Sequence, residues 1–185
     1  MSTTGVPGVV AAGRVQTWII PVALIEDVPT TGTWSVPLTA LTAETTVKID
    51  CFYDFGDVSV TRSPITRTRQ RTCEVNPQTV EVGETIDVTI TAVYDQQAAS
   101  SAAVNEAYEA VPKGTSVFIA QAFGWDQSED PTVETVIDLL GPAEVRSRTK
   151  NQPTTPEEDL KFTAALSVAE VYEDVALTSG GGGGG

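Results

Sequence analysis

Carboxylates are the side chains with which this chain has most chemistry to offer: 25 Asp and Glu stand against 11 Lys and Arg, with no His. Two loops concentrate them, one with Asp126, Glu129 and Asp130, the other with Glu157, Glu158 and Asp159. Several carboxylates on a bent loop are what a hard cation such as calcium needs, but neither cluster has the alternating ligand spacing of an EF-hand. Both read as solvated loop charge. Paired carboxylates also cleave glycosides, normally in an aromatic-lined cleft, for which three Trp and four Tyr are thin material. Without His, imidazole acid–base catalysis and imidazole metal ligation are excluded. Asp54-Phe55-Gly56 spells a kinase metal motif, yet no Gly-rich loop, catalytic-loop motif or suitable Lys accompanies it, so it reads as a turn. The six glycines Gly180 to Gly185 precede neither Lys-Ser/Thr nor a helix and are no phosphate loop. The expectation is a protein that is not an enzyme, with no cofactor and no metal site.

The basic residues form one conspicuous stripe, Arg62, Arg67, Arg69 and Arg71, within TRSPITRTRQRT (Thr61 to Thr72). A phosphate-binding stripe is one reading, but a net charge of −14 repels nucleic acid and anionic lipid alike. Pairing with Asp or Glu across a subunit boundary is the preferred account and solvated exposure the second. Arg67, Arg69 and Arg71 are therefore assigned to a subunit interface. Cys51 and Cys73 lack C-x-x-C spacing; they are either two reduced thiols or a bridge between neighbouring strands.

These residues must be positioned by strands. Val82 to Gln97 alternates from Thr85, with Ile86, Val88, Ile90, Ala92 and Tyr94 on a dry face and Thr85, Asp87, Thr89, Thr91 and Asp95 on a wet one. Behind it Val104, Ala107, Tyr108 and Val111 fall at helical spacing, predicting a helix over about 100–111, capped by Ser100 or Ser101 and ended by Pro112. Arg14 to Pro21, Trp34 to Leu41, Thr46 to Phe52, Thr61 to Thr72, Val133 to Leu140, Glu144 to Lys150 and Leu160 to Val168 read as further strands. Turns fall at Pro29, Thr30 and Gly32, at Asp54 to Asp57, and at Gly141 and Pro142. Thr61 to Thr72 is polar on both faces and belongs at a sheet surface, a subunit contact or a channel wall. Thr115 to Phe123 is apolar on both and belongs in the middle. The sum is a mainly β fold, a β-sandwich or partly open barrel of about nine strands with one flanking helix. Residues 1–13 form a flexible arm, 14–177 the β domain and 178–185 a disordered tail. No basic stretch precedes the short apolar run near the N-terminus, and no apolar segment is long enough to span a bilayer, which predicts a cytoplasmic protein without membrane contact.

Several residues in order then resemble one family: Ala12 to Val15 (AGRV), Cys51 on a strand, Cys73 after a polar strand, Val93 to Gln97 (VYDQQ), Asn105 to Tyr108, and Gly114 to Phe118. This order is similar to that of the major tail tube proteins of long-tailed phages infecting actinobacteria, over roughly Ala12 to Leu177. The resemblance implies a structural virion protein that forms stacked, hexameric rings. Their lumen conducts genomic DNA during ejection, and the partners are tail terminator, distal tail and tape-measure proteins. It also implies assembly in the host cytoplasm and a place in the virion tail. Asp50, Asp54 and Glu74, flanking the polar strands, are the expected lumen-facing carboxylates. An Ig-like module binding carbohydrate or a receptor is the alternative.

Overall fold

The structure, a computed structural model, describes residues 13–26, 34–70 and 76–179. The expected arm up to residue 12, the turn at Pro29, Thr30 and Gly32, and the glycines from Gly180 lie outside these residues, as do Arg71, Cys73 and Glu74.

Among the described residues nine strands form one branched sheet. They are β1 (Val15–Pro21), β2 (Ser35–Pro37), β3 (Val47–Lys48), β4 (Val58–Arg69), β5 (Gln78–Val93), β6 (Ser116–Phe123), β7 (Val136–Lys150), β8 (Lys161–Val168) and β9 (Tyr172–Thr178). The order is β3-β1-β6-β7-β8-β5-β4, with β9 and then β2 branching from β7. Only β2 and β9 pair in parallel. The two ends of the path, β3 and β4, stay unpaired to each other, so the sheet is open.

The alternation on β5 carries through: Ile86, Val88, Ile90, Ala92 and Tyr94 are all buried. The strand is longer than its apolar part, beginning at Gln78. β6 is buried on both faces as its composition predicts. Val117 and Ile119 enter one core, with β5, β8 and Phe162, while Phe118, Ala120 and Ala122 enter a second, with Trp34, Leu140 and Val175. β1 divides likewise, Ile19 into the first core and Trp18 and Ile20 into the second. The β1–β6 pair is thus a wall between two cores, which fixes the sites built on its edges.

Four local expectations are corrected. Residues Trp34 to Leu41 are not one strand: Pro37 ends β2 and its fixed φ of −64° starts the helical turn α1 (Leu38–Leu41). Thr46 to Phe52 breaks after β3, because the Asp50 carboxylate accepts the next β1 donor, Thr17 N, at 2.5 Å in place of a backbone carbonyl. A 3-10 turn, Asp50–Phe52, follows. The helix is shorter than 100–111, a 3-10 turn at Ala103–Asn105 running into α2 (Glu106–Ala110), with no side-chain cap from Ser100 or Ser101. Asn105 organises its start instead, accepting from Asp95 N at 2.9 Å and donating to Asp95 O at 2.8 Å and Ala99 O at 3.0 Å.

Gly141 and Pro142 do not split β7, which runs unbroken from Val136 to Lys150. Before them β7 is flanked by β9 and after them by β8, so the missing proline N–H falls where the neighbour changes. A Cβ at Gly141 would lie 2.7 Å from Val168 Cγ1 and 2.9 Å from Glu170 O, at the corner between β8 and β9. The glycine is there for close approach, not for a turn.

Candidate subunit interface

β4 and β5 pair from Val58 opposite Ile90 out to Arg69 opposite Gln78. β8 covers the other side of β5 only between Ile86 and Val93. Gln78 to Thr85 is exposed throughout, and with its β4 partners it projects past the sheet by about 25 Å at the usual rise of ~3.3 Å per residue.

The register gives the projecting ribbon two different faces. Ile65 sits opposite Gly83 and Thr66 opposite Glu81, so Val82 is the extra residue of a β-bulge. Arg67, Arg69, Val80 and Val82 line one shallow groove, and a Cβ at Gly83 would touch Ile65 from the same side. Val82 is 59% exposed, Ile65 45% and Val80 41%. The opposite face carries Thr66, Thr68, Thr79 and Glu81, with the Thr68 and Thr79 hydroxyls 3.2 Å apart. One side is apolar and basic, the other polar and acidic. Sequence reasoning found the arginines and missed the apolar residues beside them; the signal was Val80-Glu81-Val82, apolar at every second position with nothing to pack on.

Of the residues assigned to an interface, Arg67 and Arg69 share the apolar–basic face and Arg71 lies outside the described residues. Arg62, nearer the root, is engaged within the subunit, with Glu173 at 2.5 Å and Glu84 at 3.8 Å.

The expected lumen carboxylates separate. Asp50 is only 8% exposed and therefore belongs to the interior of the subunit, not to its surface. Asp54 is exposed and pairs with Lys161, which also donates to Asp57 at 2.9 Å; those two carboxylates hold the Lys161 ammonium well above the usual lysine range. Glu74 lies outside the described residues.

At the root of β4 a cavity of about 650 Å³ opens, with Asp50, Tyr53, Val58, Val60 and Gln121 among its walls and Phe55 and Phe123 at its mouth. Phe55 is 81% exposed. The polar wall is networked: Thr17 Oγ1 meets the Tyr53 hydroxyl at 2.8 Å and accepts from Gln121 Nε2 at 3.2 Å. Lys48 Nζ forms an ion pair with Asp50 Oδ2 at 3.5 Å and donates a hydrogen bond to Gln127 O at 2.7 Å. Oδ2 is buried, with the long Lys48 ion pair as its partner and no shorter hydrogen bond. Burial pushes the Asp50 carboxyl up against the opposing pull of Thr17 N–H and Lys48, and burial raises Tyr53 as well.

The acidic loops are used structurally. Asp126 accepts from Ser128 N at 2.9 Å and Ser128 Oγ at 2.7 Å, and Glu158 from Thr154 N at 2.7 Å and Thr154 Oγ1 at 3.0 Å; these bonds hold both carboxyls below the usual range. Among the described residues no three His, Cys, Asp or Glu are placed to hold a metal ion. The Asp54 to Asp57 segment is the expected turn, closed by Asp57 N to Asp54 O at 2.9 Å with Gly56 at φ +95°. Cys51 is exposed, and its proposed partner Cys73 lies outside the described residues.

No family model matches the chain, and no curated protein does. Among solved structures the chain is similar to the SPP1 tail tube, determined by solid-state NMR with cryo-electron microscopy, at 10% identity and TM-score 0.48 over 90% of this chain and 80% of that one. It is also similar to a chain of the anti-feeding prophage baseplate, at 10% identity and TM-score 0.46 over 93% of this chain and 96% of that one. At these values the likenesses carry no functional weight.

Proposed function

We propose that this chain is a structural virion protein, a tail tube subunit whose copies form stacked, hexameric rings through which a phage genome leaves. The observation that carries the reading is the projecting β4–β5 ribbon, which puts Ile65, Val80 and Val82 into water beside Arg67 and Arg69. An exposed apolar cluster on an extended arm has no role in a monomer and suits burial against another molecule. A surface of net charge −14 makes further copies of the chain good partners for an arginine-bearing arm. The open edge of β4 adds unpaired backbone donors and acceptors for the same use. The order of residues from Ala12 to Leu177 that resembles major tail tube proteins points the same way. Tail terminator, distal tail and tape-measure proteins are then the partners at the ends of the tube.

On this reading the polar, acidic face of the ribbon, with Thr66, Thr68, Thr79 and Glu81, turns to the lumen, together with Asp54 and Glu74. Asp50 is removed from that wall by its burial. An acidic wall avoids the phosphate contacts that gain affinity by counterion release. Screened over about 8 Å at physiological salt, its repulsion keeps DNA off the wall without opposing movement along the axis. The test is sedimentation velocity of the purified chain and of the Val80→Ser/Val82→Ser variant. The wild type sediments as rings or longer assemblies and the variant shifts toward monomer; a wild type that is monomeric at every concentration would refute the proposal.

A further inference from the structure

We infer that the cavity at the root of β4 is a socket for the ribbon tip of a second copy, an inference that rests on the assembly reading above. Its volume of about 650 Å³ lies within the ~300–1,000 Å³ of specific clefts, room for more than one side chain. Its chemistry is specific. Val58, Val60 and Leu139 give apolar walls, Phe55 and Phe123 an aromatic mouth, and Asp50 a buried carboxylate whose Oδ2 has only a long ion pair, with Lys48 at 3.5 Å, and no shorter hydrogen bond. A group that answers all three is an aliphatic stem ending in a cationic, multiply donating head that also lies flat on aromatic rings. Arginine has that form.

The chain carries such groups where they are free to act. Arg62 pairs with Glu173, Arg148 lies 3.7 Å over the Tyr108 ring, Lys150 donates to Gln96, and Lys161 holds Asp54 and Asp57. Arg67 and Arg69, by contrast, stand beside Ile65, Val80 and Val82 at the tip. The tip matches the socket in both charge and apolar character. It cannot enter the socket of its own copy, since Val58 and Val60 stand at the root of the ribbon and the tip at its far end, about 25 Å away at ~3.3 Å per residue. Tip and socket are different patches of one surface, so the contact is head-to-tail. Such contacts close into rings or continue as filaments.

The experiment uses the full chain with Cys51→Ser and Cys73→Ser, and adds Asp54→Cys to one preparation and Thr68→Cys to another, exposed positions that leave Phe55, Arg67 and Arg69 in place. The two are mixed, allowed to assemble, and treated with a short bismaleimide. A covalent dimer of the two chains, and a ladder when both changes are in one chain, supports the socket. Assemblies seen by light scattering without that cross-link overturn the socket and leave the assembly reading standing. A parent that forms no assemblies overturns both. Assemblies in which Asp54→Cys couples instead to Val6→Cys assign the socket to the N-terminal segment and overturn the inference. As a second readout, Arg67→Glu/Arg69→Glu raises the concentration for half-assembly by about tenfold or more, and an unchanged midpoint overturns the inference.

Discussion

Replacing Gly141 by Ala puts a methyl group where the chain has no space for one. The new Cβ would stand 2.7 Å from Val168 Cγ1 and 2.9 Å from Glu170 O. Valine can turn away, but the carbonyl belongs to the corner between β8 and β9 and moves only with both strands. Overpacking of this kind costs about 1–3 kcal/mol, and a backbone obstacle places it in the upper half of that range. Loss of glycine's freedom in the unfolded chain returns about 0.4–1 kcal/mol, leaving a net cost of about 1–2 kcal/mol. For a chain of this size each kcal/mol moves Tm by roughly 2–4 °C, so thermal unfolding followed by circular dichroism should show a fall of about 2–8 °C. Gly83→Ala is the matched control, since its Cβ would find only Ile65 Cδ1, at an ordinary 3.8 Å. It should hold or slightly raise Tm. A Gly141→Ala protein as stable as the wild type, or a Gly83→Ala protein equally damaged, would refute the account of β7 as one strand threaded past that corner.

Asn105→Ala removes three part-buried hydrogen bonds that tie the start of α2 to Asp95 and Ala99, just beyond β5, and should cost about 2–3 kcal/mol in denaturant unfolding. Asn105→Asp keeps the acceptor for Asp95 N but loses both donated bonds, so recovery of full stability in that variant would contradict the assignment. Asp50→Asn bears on the sign of a pH effect. The folded-state carboxyl is raised above its ordinary 3.8, so the native state binds the proton more tightly and Asp50 weakens the fold as pH rises from that value through the raised one. The variant, which keeps an acceptor for Thr17 N, should gain stability relative to wild type across that rise; a difference that is flat or opposite with pH would be evidence against it. Glu74→Lys/Glu81→Lys should leave tubes intact but slow genome delivery in a phage carrying it, and unchanged ejection kinetics would remove the acidic-wall mechanism.

Much of the framework is legible in local pattern, because period-two alternation depends only on which face of a strand is dry. Ile86 to Tyr94 and the doubly apolar Ser116–Phe123 needed no tertiary information. Three of the four failures share one cause: a residue with a strong local meaning was overruled by a partner elsewhere in the chain. Gly141-Pro142 reads as a turn until Glu170 arrives beside it. Asp50 reads as an exposed strand carboxylate until Thr17, 33 positions earlier, donates its N–H. Ser100 and Ser101 read as caps, but Asn105 reaches back to Asp95 and takes over the start of the helix. The site divides in the same way. Arginine alternation was visible in Thr61 to Thr72, whereas its coincidence with Val80 and Val82 depends on the β4–β5 register and its bulge. The cavity gathers β1, β4, β6 and the turn at Phe55, which no single window of sequence contains.

The central claim, that the projecting ribbon is made for copies of this molecule, is met most directly by electron microscopy of the purified full-length chain across a concentration series. The account predicts closed rings, and tubes of stacked rings as concentration rises. Uniform single subunits at every concentration would contradict it.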